Sequence, residues 1–106
     1  MQTAKKPTKP KSRKPKPAKP GWVIGSNYFL RTVTHYLTGR LVAYDDHELW
    51  LADAAWVADT GRYMEAITTG ALNEVEPYPD GVYIPVGRGA LIDGCPWDHE
   101  LPRKQQ

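Results

Sequence analysis

The sequence predicts a mainly β domain, a small, partly open β-barrel of about five strands with one short inserted helix, preceded by a disordered basic arm. Two observations carry this expectation. From Gly21 onward, short runs of β-branched and aromatic residues recur between glycines and polar turns. Ahead of them, residues 1–20 hold seven Lys, one Arg and no acid, a charge of +8, while residues 21–106 hold six Lys and Arg against twelve Asp and Glu, a charge of −6. The formal net charge of +2 over 106 residues conceals this division.

The arm, residues 1–20, contains five Lys-Pro pairs, ending at Pro7, Pro10, Pro15, Pro17 and Pro20. Proline removes amide donors and pushes the residue before it toward extended backbone, so this stretch is expected to sample polyproline II as a charged tether. At about 3.1 Å per residue, twenty such residues reach about 60 Å. The domain, residues 21–106, is long enough for one small core and too short for two.

Within the domain, Tyr28–His35 is β-prone and reads as the first strand. Gly39 opens Arg40–Tyr44, Asp45-Asp46-His47 supplies a turn, and Glu48–Ala52 alternates apolar and polar residues, the pattern of a β-hairpin. Asp53–Val57 either continues that strand or bends away. Asp59-Thr60-Gly61 is expected to cap a short helix, Arg62–Thr69, with Tyr63, Met64, Ala66 and Ile67 as its apolar side and Gly70 as its stop. Leu72–Gly81 reads as a loop with two prolines. Val82–Val86 alternates like a strand that Pro85 confines to an edge, Gly87-Arg88-Gly89 reads as a tight turn, and Ala90–Asp93 as the last strand. The segment from Pro96 on reads as an irregular tail.

Several function classes are excluded or disfavoured at this level. Cys95 is the single cysteine, so neither an intramolecular disulfide nor a CxxC zinc site is available. The sequence has no run of 18 apolar residues, and its basic N-terminus has no apolar segment behind it, so neither a membrane span nor a secretory leader is expected. Cys95 with His99, and Glu74 with Glu76, are the only hints of a catalytic pair. Cys95 reads as a partly buried structural residue, the two glutamates as loop surface. A non-enzymatic protein with no cofactor is expected.

The stretch TGRLVAYDDHELWLADA (Thr38 to Ala54), followed later by IPVGRGALIDG (Ile84 to Gly94), resembles the two halves of an Sm-like or SH3-like small barrel. It is also similar to small phage and prophage proteins with a glycine-led strand and an L-x-L-x-x-A strand, matched here by Gly39, Leu49, Leu51 and Ala54. The resemblance covers about half of the chain. It implies an accessory role in the host cytoplasm or the virion. This chain departs from RNA-binding Sm proteins in having no basic, aromatic nucleotide pocket in its motifs and a longer insertion between Val57 and Gly81.

Candidate functional residues follow from charge and aromaticity. Lys5, Lys6, Lys9, Lys11, Arg13, Lys14, Lys16 and Lys19 are expected to bind a polyanion, either nucleic acid by counterion release or an acidic protein surface such as a capsid shell. Trp22, Trp50, Trp56, Tyr83 and Trp97 are candidates for a subunit or partner interface, because aromatic residues are enriched at such surfaces and this domain has more than a core of its size needs. A homo-oligomer is expected on the same ground. Arg88, between two glycines, is a candidate anion site. His35, His47 and His99 lie near acids in spacings that suit solvated turns better than a metal, and none is expected. Three readings stay open: an accessory protein that binds nucleic acid through its arm, a capsid-decorating protein, and a nucleotide-sequestering inhibitor of host defence.

Overall fold

The computed structural model describes residues 21–106. The N-terminal arm and its eight candidate cations lie outside the described residues. Six strands form one antiparallel sheet: β1 (Asn27–Thr32), β2 (Tyr36–Tyr44), β3 (Glu48–Asp59), β4 (Glu74–Pro77), β5 (Ile84–Gly87) and β6 (Leu91–Pro96). One helix, α1 (Tyr63–Thr69), joins β3 to β4, and a single 3-10 turn (Arg88–Ala90) joins β5 to β6. The order is β4, β3, β2, β1, β6, with β5 paired to the other half of β3. The sheet does not close into a barrel.

The β2–β3 hairpin is the spine, and it is bent twice. Thr38 pairs with Ala55 and Arg40 with Ala52, so Asp53 and Ala54 oppose Gly39 alone. Asp53 takes the left-handed backbone this bulge needs, with φ 52, a conformation that a short polar side chain tolerates better than most. Its carboxylate meets Arg40 Nη1 at 2.6 Å. Farther along, Leu41 pairs with Leu51 and Ala43 with Trp50, leaving Val42 as the extra residue on β2. These bulges let β3 carry two separate neighbours on its outer side. Its first residues pair with β5, from Glu48 with Gly87 to Leu51 with Ile84, and its last with β4, from Ala55 with Pro77 to Asp59 with Glu74.

Alternation along these strands makes two cores, one on each side of the sheet. Tyr28, Leu30, Leu37, Leu41, Leu49, Leu51, Ala54 and Val86 fill the first, with Trp22, Tyr78, Ile84 and Leu91 packed around them. Phe29, Val57 and Trp97 form the second, covered by Tyr36, Tyr63, Ile67, Leu72, Cys95 and Leu101. Phe29 is the centre of that layer, with ring centroids 5.6 to 5.8 Å from Tyr36, Tyr63 and Trp97. Helix and tail thus seal the face that would otherwise be wet.

Four expectations change. The helix begins at Tyr63 after Arg62, with no side-chain cap; Asp59 Oδ1 accepts from the Gly61 amide instead, and Thr60 Oγ1 donates to the Gly61 carbonyl. Met64 is 68 % exposed, because α1 is only seven residues long and presents Ala66, Tyr63 and Ile67 to the sheet. The stop holds: Gly70 is left-handed at φ 82 and donates to the Ala66 carbonyl. Leu72–Gly81 contains strand β4, since Val75 is buried against β3. The tail is tied down. Val75 and Gln106 exchange both backbone hydrogen bonds, at 3.0 and 3.1 Å, and Arg103 donates to the carbonyls of Ala54 and Tyr78 and to Asp80.

Among the described residues, no helix is long and apolar enough to cross a membrane.

Candidate functional site

The aromatic candidates separate by face. Trp97 is 2 % exposed, stacked near Phe29, and donates from Nε1 to the Glu100 carbonyl at 3.2 Å. It is core and cannot form a surface, because the tail folds back across the second layer. Trp22 is half-buried, edge-on to Tyr28 at 5.0 Å, and closes the end of the first core. Trp50, opposite Ala43 and Pro85, lies half-buried on the face away from the first core. Only Trp56 and Tyr83 are substantially exposed, at 43 and 62 %.

Trp56 has company that sequence reading missed. Val33, 70 % exposed, and Ile92, 57 % exposed, line the same shallow cavity of about 440 Å³ as Trp56 and His35. The signal was indirect: Val33 sits in the β1–β2 turn, and Ile92 is the extra residue where β6 bulges against β1, between the Arg31–Asp93 and Thr32–Leu91 pairs. His35 stands edge-on to Trp56, centroids 6.4 Å apart at 85°. Its position is fixed by its backbone, whose carbonyl accepts from both the amide and the hydroxyl of Thr32, and by a 2.8 Å hydrogen bond between Nδ1 and Thr34 Oγ1.

Compared with protein families, curated proteins and solved structures, the chain matches none.

Arg88 is occupied. Its guanidinium donates to the Asp45 carbonyl and its amide to the His47 carbonyl, so it clamps the β2–β3 turn. Gly87 has φ −67, and neither it nor Gly89 is left-handed, so the turn does not form the cradle of amides that an anion requires. Within that turn Asp45 Oδ1 accepts from the amides of His47 and Glu48 at 2.7 and 2.8 Å, which holds its carboxyl below the ordinary carboxylate range.

His99 is not a solvated turn residue. Its Nε2–H donates to the Ile67 carbonyl at 2.7 Å and its ring lies 4.8 Å from Trp97, so it packs the end of α1 against the tail. That contact occupies its Nε2. The Cys95 thiol is pushed up first by burial and then by Asp93 and Asp98, which disfavours the thiolate. Glu76 Oε2 accepts from Gln105, and Glu74 pairs with Asp59 at the strand end, so these carboxylates lie on a sheet edge. Among the described residues, no group of three or more His, Cys, Asp or Glu stands ready to hold a metal.

Proposed function

We propose that this is a non-enzymatic accessory protein of the small phage type, whose basic arm binds nucleic acid while the β domain anchors it, as an oligomer or on a partner. One observation carries the reading: eight cations and no acid in residues 1–20 stand against a body of charge −6. A phosphate backbone releases counterions to such an arm with little regard for sequence, and the acidic body leaves the arm to do most of the binding. The three ion pairs among the described residues, Arg31–Asp93, Arg40–Asp53 and Arg103–Asp80, use up half of the body's six cations.

We read the domain as an SH3-like or Sm-like small barrel left open. The features that support this are the doubly bent β2–β3 hairpin, the pairing of β5 with β3, and the 3-10 turn that carries the chain to β6 beside β1. A capsid-decorating role is the second reading, favoured by exposed Trp56 and Tyr83 on an otherwise acidic surface.

Fluorescence anisotropy with a random-sequence DNA duplex across a salt series tests the first reading. The full chain is compared with a variant carrying Gln at the eight arm cations. The expected result is a steep log–log salt slope, approaching about −7 if all eight phosphates are engaged, that collapses in the variant. Equal binding by both, or by neither near physiological salt, overturns the nucleic-acid reading.

A further inference from the structure

The cavity beside Trp56 has a chemistry of its own on this acidic body. Four strands and a turn build it: Arg31 of β1, Val33 and His35 of the β1–β2 turn, Tyr36 of β2, Trp56 of β3 and Ile92 of β6. The indole is carried by strand backbone, between Leu37 of β2 and Glu76 of β4 in register. Leu37, its partner on β2, is buried in the first core, which anchors the strand pair that carries the indole. A Trp held 43 % exposed on a strand, flanked by two exposed aliphatic side chains, is an unfilled stacking surface.

The walls select among ligands. No carboxylate lines the cavity. Arg31, the cation in the lining, is tied to Asp93 through two hydrogen bonds, so that pair is neutral as a unit. Glu76, opposite Trp56 in register, accepts from Gln105 through Oε2 and repels a phosphate. His35 spends Nδ1 on Thr34, and its Nε2 has no hydrogen-bond partner among the described residues. The surface therefore suits a flat, uncharged ring with a hydrogen-bonding edge, and disfavours a bare anion. An unpaired nucleobase has that character, whereas in a duplex the base faces are stacked inside.

We infer that Trp56 is a stacking platform for an unpaired base of a single strand whose backbone the basic arm holds. This rests on the arm binding nucleic acid. Twenty residues at a polyproline II rise would reach about 60 Å, more than the 47 Å longest dimension of the described residues, so the length of the arm would let a strand held by it lie across this end of the sheet. Base stacking on an aromatic side chain tolerates any sequence, because every base has a π-face.

The test measures the affinity of the full chain, Trp56→Ala, Trp56→Phe and the arm-neutralised variant for an oligo-dT strand and for a duplex of equal length. The expected result is that Trp56→Ala loses about tenfold in single-strand affinity with duplex affinity unchanged. Trp56→Phe should retain most of the affinity while removing the part of the tryptophan fluorescence quenching that comes from this ring. Trp56→Ala binding the strand as tightly as the parent overturns the inference and leaves the arm reading intact. If the arm-neutralised variant binds both ligands like the parent, or the parent binds neither, the arm reading fails and this inference fails with it. A change in molar mass by light scattering in Trp56→Ala, without loss of strand affinity, identifies the patch as a subunit contact and also overturns it. Trp56→Phe keeps the test valid should the alanine variant fold poorly.

Discussion

Arg31 and Asp93 face each other across the β1–β6 pair, and their side chains meet at two points, Nε to Oδ1 at 2.7 Å and Nη2 to Oδ2 at 2.5 Å. The Arg31 guanidinium also lies 5.4 Å from the centre of the Tyr63 ring, so one side chain joins β1, β6 and α1. The hydrogen bonds from Arg31 hold the Asp93 carboxyl below the usual carboxylate range. A carboxylate depressed in the folded state contributes stability above its unfolded pKa, about 3.9, and loses it as pH falls through the folded value. Both partners are partly solvated, which keeps the contribution small. Melting curves from about pH 5 downward should therefore show a shallower acid loss in Asp93→Asn than in the parent. Identical slopes would remove the pair from the acid response.

Gly94 is exposed yet intolerant. A Cβ there would lie 2.7 Å from Leu30 Cδ2 and 3.3 Å from Trp22 Cη2, and Leu30 is wholly buried, with no room to retreat. Gly94→Ala is expected to cost about 1–3 kcal/mol from overpacking, read as a lower urea midpoint. A neutral result would mean that β6 shifts away from β1.

Thr38 carries the one buried side-chain polar atom without a hydrogen-bond partner among the described residues, its Oγ1. An unsatisfied buried hydroxyl is costly, so Thr38→Val, nearly equal in shape, is expected to raise stability by about 1 kcal/mol. Chemical denaturation decides it, and a clear loss would show that the hydroxyl is satisfied.

Phe29 has the opposite character. Its ring sits among Tyr36, Tyr63 and Trp97 with no exposure. Phe29→Ala should cost about 3–5 kcal/mol and release α1 and the tail together. Near-ultraviolet circular dichroism should lose its aromatic signal, and its retention would mean that the second layer holds without this ring.

The parts legible in the sequence were those set by local chemistry. The Asp45–His47 turn announced the hairpin because an aspartate there can accept two following amides, and Gly70 announced the helix stop because left-handed backbone suits glycine. Strand β4 was illegible: it has one buried residue, Val75, between two glutamates, and its partners are distant in sequence, Val57 on one side and Gln106 on the other. Trp97 looked like surface because its burial depends on the tail folding over Phe29. The patch around Trp56 was half legible, since the tryptophan could be named but the β6 bulge that turns Ile92 beside it could not.

The β1–β6 pairing also bears on how the chain reaches this state. Arg31 and Asp93 are 62 positions apart, whereas β2 and β3 need only a three-residue turn to meet. Closing a long loop carries an entropic cost that local contacts avoid, so the hairpin is the natural nucleus and the docking of β6 the late step. The same seam should open first on unfolding. Amide exchange would then be fastest in residues 91–96 and slowest along the hairpin, and a segment that leaves early uncovers Leu30 to neighbouring chains. The long-range seam, more than the hairpin, would then set how readily this protein aggregates.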